Sequence, residues 1–216
     1  MRRPPPVWER GRRPQSALPT DVIGAAGAVT LFWIVLFGIR RGPFVLIILV
    51  ASVGMLAVSI MRMPRHQDLL MTHQGILVLG AGSAVVLFMA FVILGVVARR
   101  LPAIGSGTTE AFGRAGGMST IASFLVLFIV VSAEELFWRG FVQGRLADEL
   151  GSQRGYRLAL LGHVLCHLLT FNLALAAAAA ICGGLWGWFR LRTGSLVPGL
   201  ISHLLWTLLM YHVYPI

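Results

Sequence analysis

Seven runs of apolar residues, at roughly 22–39, 44–61, 75–98, 119–143, 157–171, 173–189 and 196–212, constrain the fold of this chain more than any other feature. Most hold the ~20 residues that an α-helix rising ~1.5 Å per residue needs to cross the hydrocarbon of a bilayer. The run at 157–171 is short, and the one at 119–143 continues into the polar stretch RGFVQGRLADELGSQRGYR, which leaves its end open. Of the 216 residues, 57% are hydrophobic and only 12% charged, with a mean hydropathy of +0.81. Soluble globular chains do not have that balance. The expected fold is all-α: a polytopic membrane helix bundle with about seven transmembrane helices.

The net charge of +10 raises the question of nucleic acid. Its distribution argues against such a partner. Five arginines lie in the first thirteen residues and most of the others lie between apolar runs, where topogenic charges belong. With the N-terminus inside, the inner segments hold Arg2, Arg3, Arg10, Arg12, Arg13, Arg62, Arg65, Arg145, Arg154, Arg157, Arg190 and Arg192, and the outer loops hold Arg40, Arg41, Arg99, Arg100 and Arg114. Twelve against five predicts a cytoplasmic N-terminus and an outward C-terminus. All 18 basic residues are arginine, which fits a GC-rich bacterial genome. The expected location is the bacterial cell (inner) membrane, with the lipid bilayer as a partner.

Residues 1–20 are rich in Pro and Arg, lack an apolar period and read as a disordered cytoplasmic tail. No small-residue cleavage site follows the first apolar run, so it reads as a retained helix rather than a secretory signal. The membrane domain is expected over 21–216. Cys166 and Cys182 both fall inside apolar runs and read as buried free thiols.

Ionisable residues within the apolar runs are few: Glu134, Glu135, Arg139, His163, His167 and His203. Such groups are costly in lipid and face a protein interior or a water cavity. Counted from the expected inner helix ends, Glu134 lies about 13 Å deep, His167 about 15 Å and His203 about 10 Å. Three helices thus place a carboxylate and two imidazoles in one layer. Glu135 and Arg139 are spaced i,i+4 in the favourable order, and read on their own they form a structural ion pair. Glu134 points ~100° away around the helix and is left for another partner. A carboxylate beside imidazoles, with little water, can act as a general base on a water molecule. Each of these groups also has a plainer reading. One of His163 and His167 serves as a helix–helix hydrogen bonder and a lone His203 as packing. Trp186 and Trp188, just before Arg190 and Arg192, read as an interfacial aromatic belt. His66, His73 and His212 fall in loops or at an end and receive no role.

The pattern Glu134, Glu135, Arg139, followed by Gly140, resembles the EExxxR motif of the CPBP intramembrane proteases, the family of CAAX prenyl endopeptidases and bacteriocin-processing (Abi) proteins. The family's FxxxH corresponds to His163-Val-Leu-Cys-His167, with His163 in place of Phe. Its HxxxN or HxxxD corresponds to His203-Leu-Leu-Trp-Thr207, with Thr in place of the amide or acid. The stretch LWGWFRLRTGSLVPGLISH has the family's look as well, and the resemblance covers roughly 119–210. It implies peptide-bond hydrolysis within the membrane. Glu134 and His167 would activate the attacking water, and His203 with the residue one turn later would stabilise the oxyanion. Glu135 and Arg139 would support them. Thr207 donates one hydrogen bond with a shorter reach than Asn, and His163 adds an imidazole beside the site. Glu134, His167 and His203 would also make a zinc set with an open position. No HExxH is present, and the expectation is no cofactor, with zinc on those three residues as the alternative.

Three functions remain in view. The first is an endopeptidase acting on membrane-anchored or C-terminally tagged protein precursors, such as the sorting-type substrates of the myxosortase branch. The second is a non-proteolytic immunity or assembly protein on the same scaffold, for which Thr207 speaks. The third is a small transporter, against which the absence of a visible repeat argues.

Overall fold

The computed structural model describes residues 18–38, 44–64, 69–98 and 118–214. Most of the expected tail at 1–20, together with His66, lies outside them. The described residues form seven helices and no strand: α1 (Thr20–Gly38), α2 (Phe44–Arg62), α3 (Gln74–Ala98), α4 (Thr120–Leu150), α5 (Ser152–Leu168), α6 (Leu173–Thr193) and α7 (Val197–His212). Four of them, α2, α3, α4 and α6, are long and apolar enough to cross a membrane, and α1 carries a shorter apolar stretch, Thr20–Leu36. The fold is thus an all-helical bundle of the kind the apolar runs predict. The 17-residue α5 and 16-residue α7 are the shorter elements that carry the histidines.

Helix ends follow local chemistry. Ser119 caps α4 by accepting from the Ala122 amide at 3.3 Å, and Asn172 caps α6 by accepting from Leu175 at 3.1 Å. Gly194, in the left-handed region at φ 73°, ends α6. Pro198 sits in the first turn of α7, where its missing N–H costs nothing.

Two boundaries differ from the sequence reading. The fourth helix runs to Leu150 instead of 143, and the fifth starts at Ser152 instead of 157. At 31 residues, α4 is about 46 Å long, against a hydrocarbon thickness of about 30 Å. Its polar last turns and the start of α5 form a hairpin around Gly151 (φ 85°). Both ends move in the same direction, so the common layer of Glu134 and His167 survives. Within α4, Leu136–Val142 is π-helical, and the Gln143 amide reaches back five residues to the Trp138 carbonyl. A π segment inside an α-helix often accompanies a functional site. Here it directly follows the two glutamates and contains Arg139.

The helices alternate in direction, so each bundle end collects particular residues. One end holds Arg62, Arg145, Arg154, Arg157, Arg190 and Arg192. There Asp21 pairs with Arg145 at 3.4 Å, and the turn before α7 docks on the segment before α3. The Leu196 amide donates to the Leu69 carbonyl at 2.8 Å, and Ser195 Oγ donates to the Met71 carbonyl at 2.7 Å. At the other end, Ser123 Oγ and His212 Nε2 lie 3.2 Å apart. Cys166 and Cys182 are buried free thiols, as expected.

Candidate active site

Arg139, Glu135 and His203 form a buried chain that ties α4 to α7. Arg139 Nη1 lies 3.3 Å from Glu135 Oε1, and the same oxygen lies 3.0 Å from His203 Nδ1. Glu134 Oε2 lies 3.8 Å from the other nitrogen of that ring, Nε2. The two glutamates therefore do not part company around the helix. Both converge on one imidazole, and Glu135 is more than the partner of a local ion pair. Glu135 and Arg139 are 0% and 3% exposed, a depth at which charges persist only when paired.

Arg139 has a second contact, Nη2 to His163 Nδ1 at 3.3 Å. A guanidinium can only donate, so Nδ1 accepts and the ring proton of His163 sits on Nε2. His163, the residue that replaces the motif's Phe, thus keeps an aromatic ring between Trp138 (centroids 5.0 Å apart) and His167 (4.8 Å) and adds a hydrogen bond to the arginine. His167 packs against Trp33 at 5.4 Å, and its Nδ1 is buried without a partner. No hydrogen bond or ion pair joins His167 to Glu134. Thr207 Oγ1 is likewise buried without a partner.

Glu134, His163, His167, His203 and Thr207 all line one chamber of about 250 Å³. The rest of its wall is almost wholly apolar, supplied mainly by α2, α4, α6 and α7 through residues such as Ile48, Val130, Ala178 and Met210, with Trp33 of α1 and Phe91 of α3. The expected site residues are therefore brought together, with Glu135 and Arg139 packed behind the wall.

Trp186 belongs to the site too. Of the two tryptophans read as a belt, Trp188 is 41% exposed and carries Arg192 over its ring, as a belt residue should. Trp186 is 2% exposed and stacks on His203, with centroids 3.7 Å apart and planes at 18°. Its Nε1 donates to Ser202 Oγ at 3.0 Å, and that hydroxyl is 2.9 Å from Ser83 Oγ of α3. His203 is thereby held at Nδ1 by Glu135 and across its face by Trp186. A signal for Trp186 was present in the sequence: Ala179, Cys182, Trp186 and Phe189 recur at helical spacing and all are buried.

Two glycines allow these helices to approach. A Cβ on Gly199 would lie 3.0 Å from Glu135 Oε2, and one on Gly183 would lie 2.7 Å from His163 Nδ1 and 2.8 Å from Arg139 Nη2. Small residues at such contacts are the usual device of membrane helix packing.

Among the described residues no three His, Cys, Asp or Glu side chains are grouped so as to hold a metal ion. The Nδ1 of His203 faces Glu135 and its Nε2 faces Glu134.

No curated protein and no solved structure matches the chain. A family comparison does match, over residues 116–209, and the matched stretch contains Glu134, Glu135, Arg139, His163, His167, His203 and Thr207. Residues 116–209 match the family model described as type II CAAX prenyl endopeptidase Rce1-like, a match consistent with a CPBP family intramembrane protease.

Proposed function

We propose that this protein is an intramembrane endopeptidase that cleaves membrane-anchored or C-terminally tagged protein precursors with a glutamate-activated water and no metal. The observation that carries the reading is the convergence of Glu134, Glu135 and His203 beside an apolar chamber, within a domain whose family supports intramembrane endopeptidase activity in general.

A water held by Glu134, with His167 across the chamber, would attack the scissile carbonyl carbon and pass a proton to the Glu134 carboxylate. The carbonyl oxygen becomes an oxyanion facing His203 Nε2 and the unpartnered Thr207 hydroxyl. The C–N bond then breaks, and the leaving amine takes the proton from Glu134. The products are a carboxylic acid and an amine, and transfer of the acid's proton to the amine gives the carboxylate and ammonium ends.

With Nδ1 turned to Glu135, His203 presents Nε2 to the chamber. Outside the chamber, the lipid bilayer is the protein's medium, and the expected setting is a bacterial inner membrane with the N-terminus in the cytoplasm.

The test is a comparison of the C-termini of membrane proteins in cells with and without this protein. Species that appear only in its presence, and vanish when Glu134→Gln, His167→Ala or His203→Ala replaces it at equal membrane abundance, support the reading. Full processing by the Glu134→Gln protein rules out water activation by that residue. Thr207 in place of an amide or acid favours a second reading, a non-proteolytic immunity or assembly role. A cellular phenotype that survives Glu134→Gln would support that role.

A further inference from the structure

The chamber is asymmetric along the bundle axis. From Glu134 and His203 it runs to Phe44 in the first turn of α2, Met118 just before α4, Ala174 in the first turn of α6 and Tyr211 in the last turn of α7. All four lie at the same bundle end. At the opposite end the site is closed by packing. The π segment of α4 is buried from Phe137 to Val142, a Cβ on Gly140 would lie 2.7 Å from Met63 Sδ, one on Gly144 would lie 3.3 Å from Pro64, and the turn before α7 is bonded to Leu69 and Met71.

The closed end is also the basic one. Six of the described arginines (Arg62, Arg145, Arg154, Arg157, Arg190 and Arg192) lie there, and over the whole sequence the segments assigned to that side carry twelve arginines against five on the other. Arginine flanking membrane helices marks the cytoplasmic face. The closed, basic end therefore faces the cytoplasm and the chamber reaches away from it.

Resting on the endopeptidase reading above, we infer that the substrate enters from the non-cytoplasmic side. Its class is then a protein that has crossed the membrane and stays anchored in it by an apolar segment. The bond to be cut lies where that segment meets the non-cytoplasmic half of the bilayer. The apolar wall suits the anchor's side chains, and the Glu134 layer ends the path inward.

Sidedness can be read without any activity. Single cysteines would be introduced at Met118→Cys and Ala174→Cys on the chamber end and at Gln153→Cys on the basic end, with the parent protein and its two buried thiols as background. A membrane-impermeant maleimide applied to intact cells with a permeabilised outer envelope should label the chamber-end cysteines and leave Gln153→Cys unlabelled until the inner membrane is lysed. An alkaline phosphatase fused after the C-terminus, beyond Tyr214 on the chamber end, should be active. Labelling of Gln153→Cys alone, or an inactive phosphatase where a fused green fluorescent protein is bright, overturns the inference.

Two anchored reporters complete the test, one with its cleavable segment at the non-cytoplasmic end of an apolar anchor and one at the cytoplasmic end. Cleavage of the first alone is expected. Cleavage of the second alone, abolished by Glu134→Gln, would overturn the inference and leave the endopeptidase reading standing. Cleavage unaffected by Glu134→Gln would remove the endopeptidase mechanism, while the labelling result would still decide the orientation.

Discussion

Replacing both Glu135 and Arg139 should destabilise the protein by much less than the two single replacements added together. The two side chains are 1% and 3% exposed and their charges approach to 3.3 Å. At that distance, and at an effective dielectric constant of ~20, the Coulomb attraction is about 5 kcal/mol. Removing one partner leaves the other charge buried and uncompensated, which costs about 3–5 kcal/mol. Glu135→Gln keeps an oxygen for His203 Nδ1, so the loss is mainly that of the arginine's counter-charge. Arg139→Met should cost a similar amount by stranding the carboxylate. In the double variant neither charge remains, and its loss should fall short of the sum of the two single losses by about 3 kcal/mol. The assay is a double-mutant cycle from SDS-induced unfolding of the purified protein in mixed micelles, followed by tryptophan fluorescence. Additivity within about 0.5 kcal/mol would mean the two groups are not coupled, and the buried chain Arg139–Glu135–His203 would be refuted.

Trp186→Ala should lower kcat about 10–100-fold, the range found when groups that orient an active imidazole are removed. Trp186→Phe, which keeps the stack on His203 and loses the bond to Ser202, should lose less; equal losses in both variants would deny the stack its positioning role. Thr207→Val, nearly isosteric, should lower kcat about 100–1,000-fold with little change in KM if the hydroxyl serves the oxyanion, while Thr207→Asn should retain activity; an unaffected Thr207→Val enzyme would exclude that role. Prolonged dialysis against a zinc chelator should leave cleavage by the purified protein unchanged within twofold, and loss of activity restored by added zinc would revive the metal alternative.

The parts of this fold visible in the sequence are those set by local pattern. Seven apolar runs yield seven helices because a lipid-buried backbone must satisfy its own hydrogen bonds. The common depth of Glu134 and His167 could be found by counting residues, and it withstood the shift of two helix ends because α4 and α5 lengthen together; His203, only six residues into α7, joins that layer by its contacts with Glu134 and Glu135 and no longer by the count. The remainder depends on which helix faces which. Nothing in EExxxR indicates that Glu135 would find His203, 68 residues away, as well as Arg139 one turn away. Trp186 and Trp188 are both tryptophans beside arginines; the helical recurrence of Ala179, Cys182, Trp186 and Phe189 marks the buried face, but only the packing of α6 against α7 shows that Trp186 stacks on His203. The π segment carries no composition of its own, although Phe137, Trp138, Arg139 and Phe141 within it are all buried. Gly183 and Gly199 acquire meaning only once the atoms they leave room for are known.

The central claim is that the Glu134 carboxylate activates the water, and single-turnover cleavage of an anchored peptide by purified Glu134→Gln protein tests it most directly. The amide is nearly isosteric but cannot accept the proton, so the cleavage rate should fall about 100–10,000-fold, the range expected for loss of a general base, with an unfolding transition like that of the unaltered protein. A rate within tenfold of the unaltered enzyme would contradict the account.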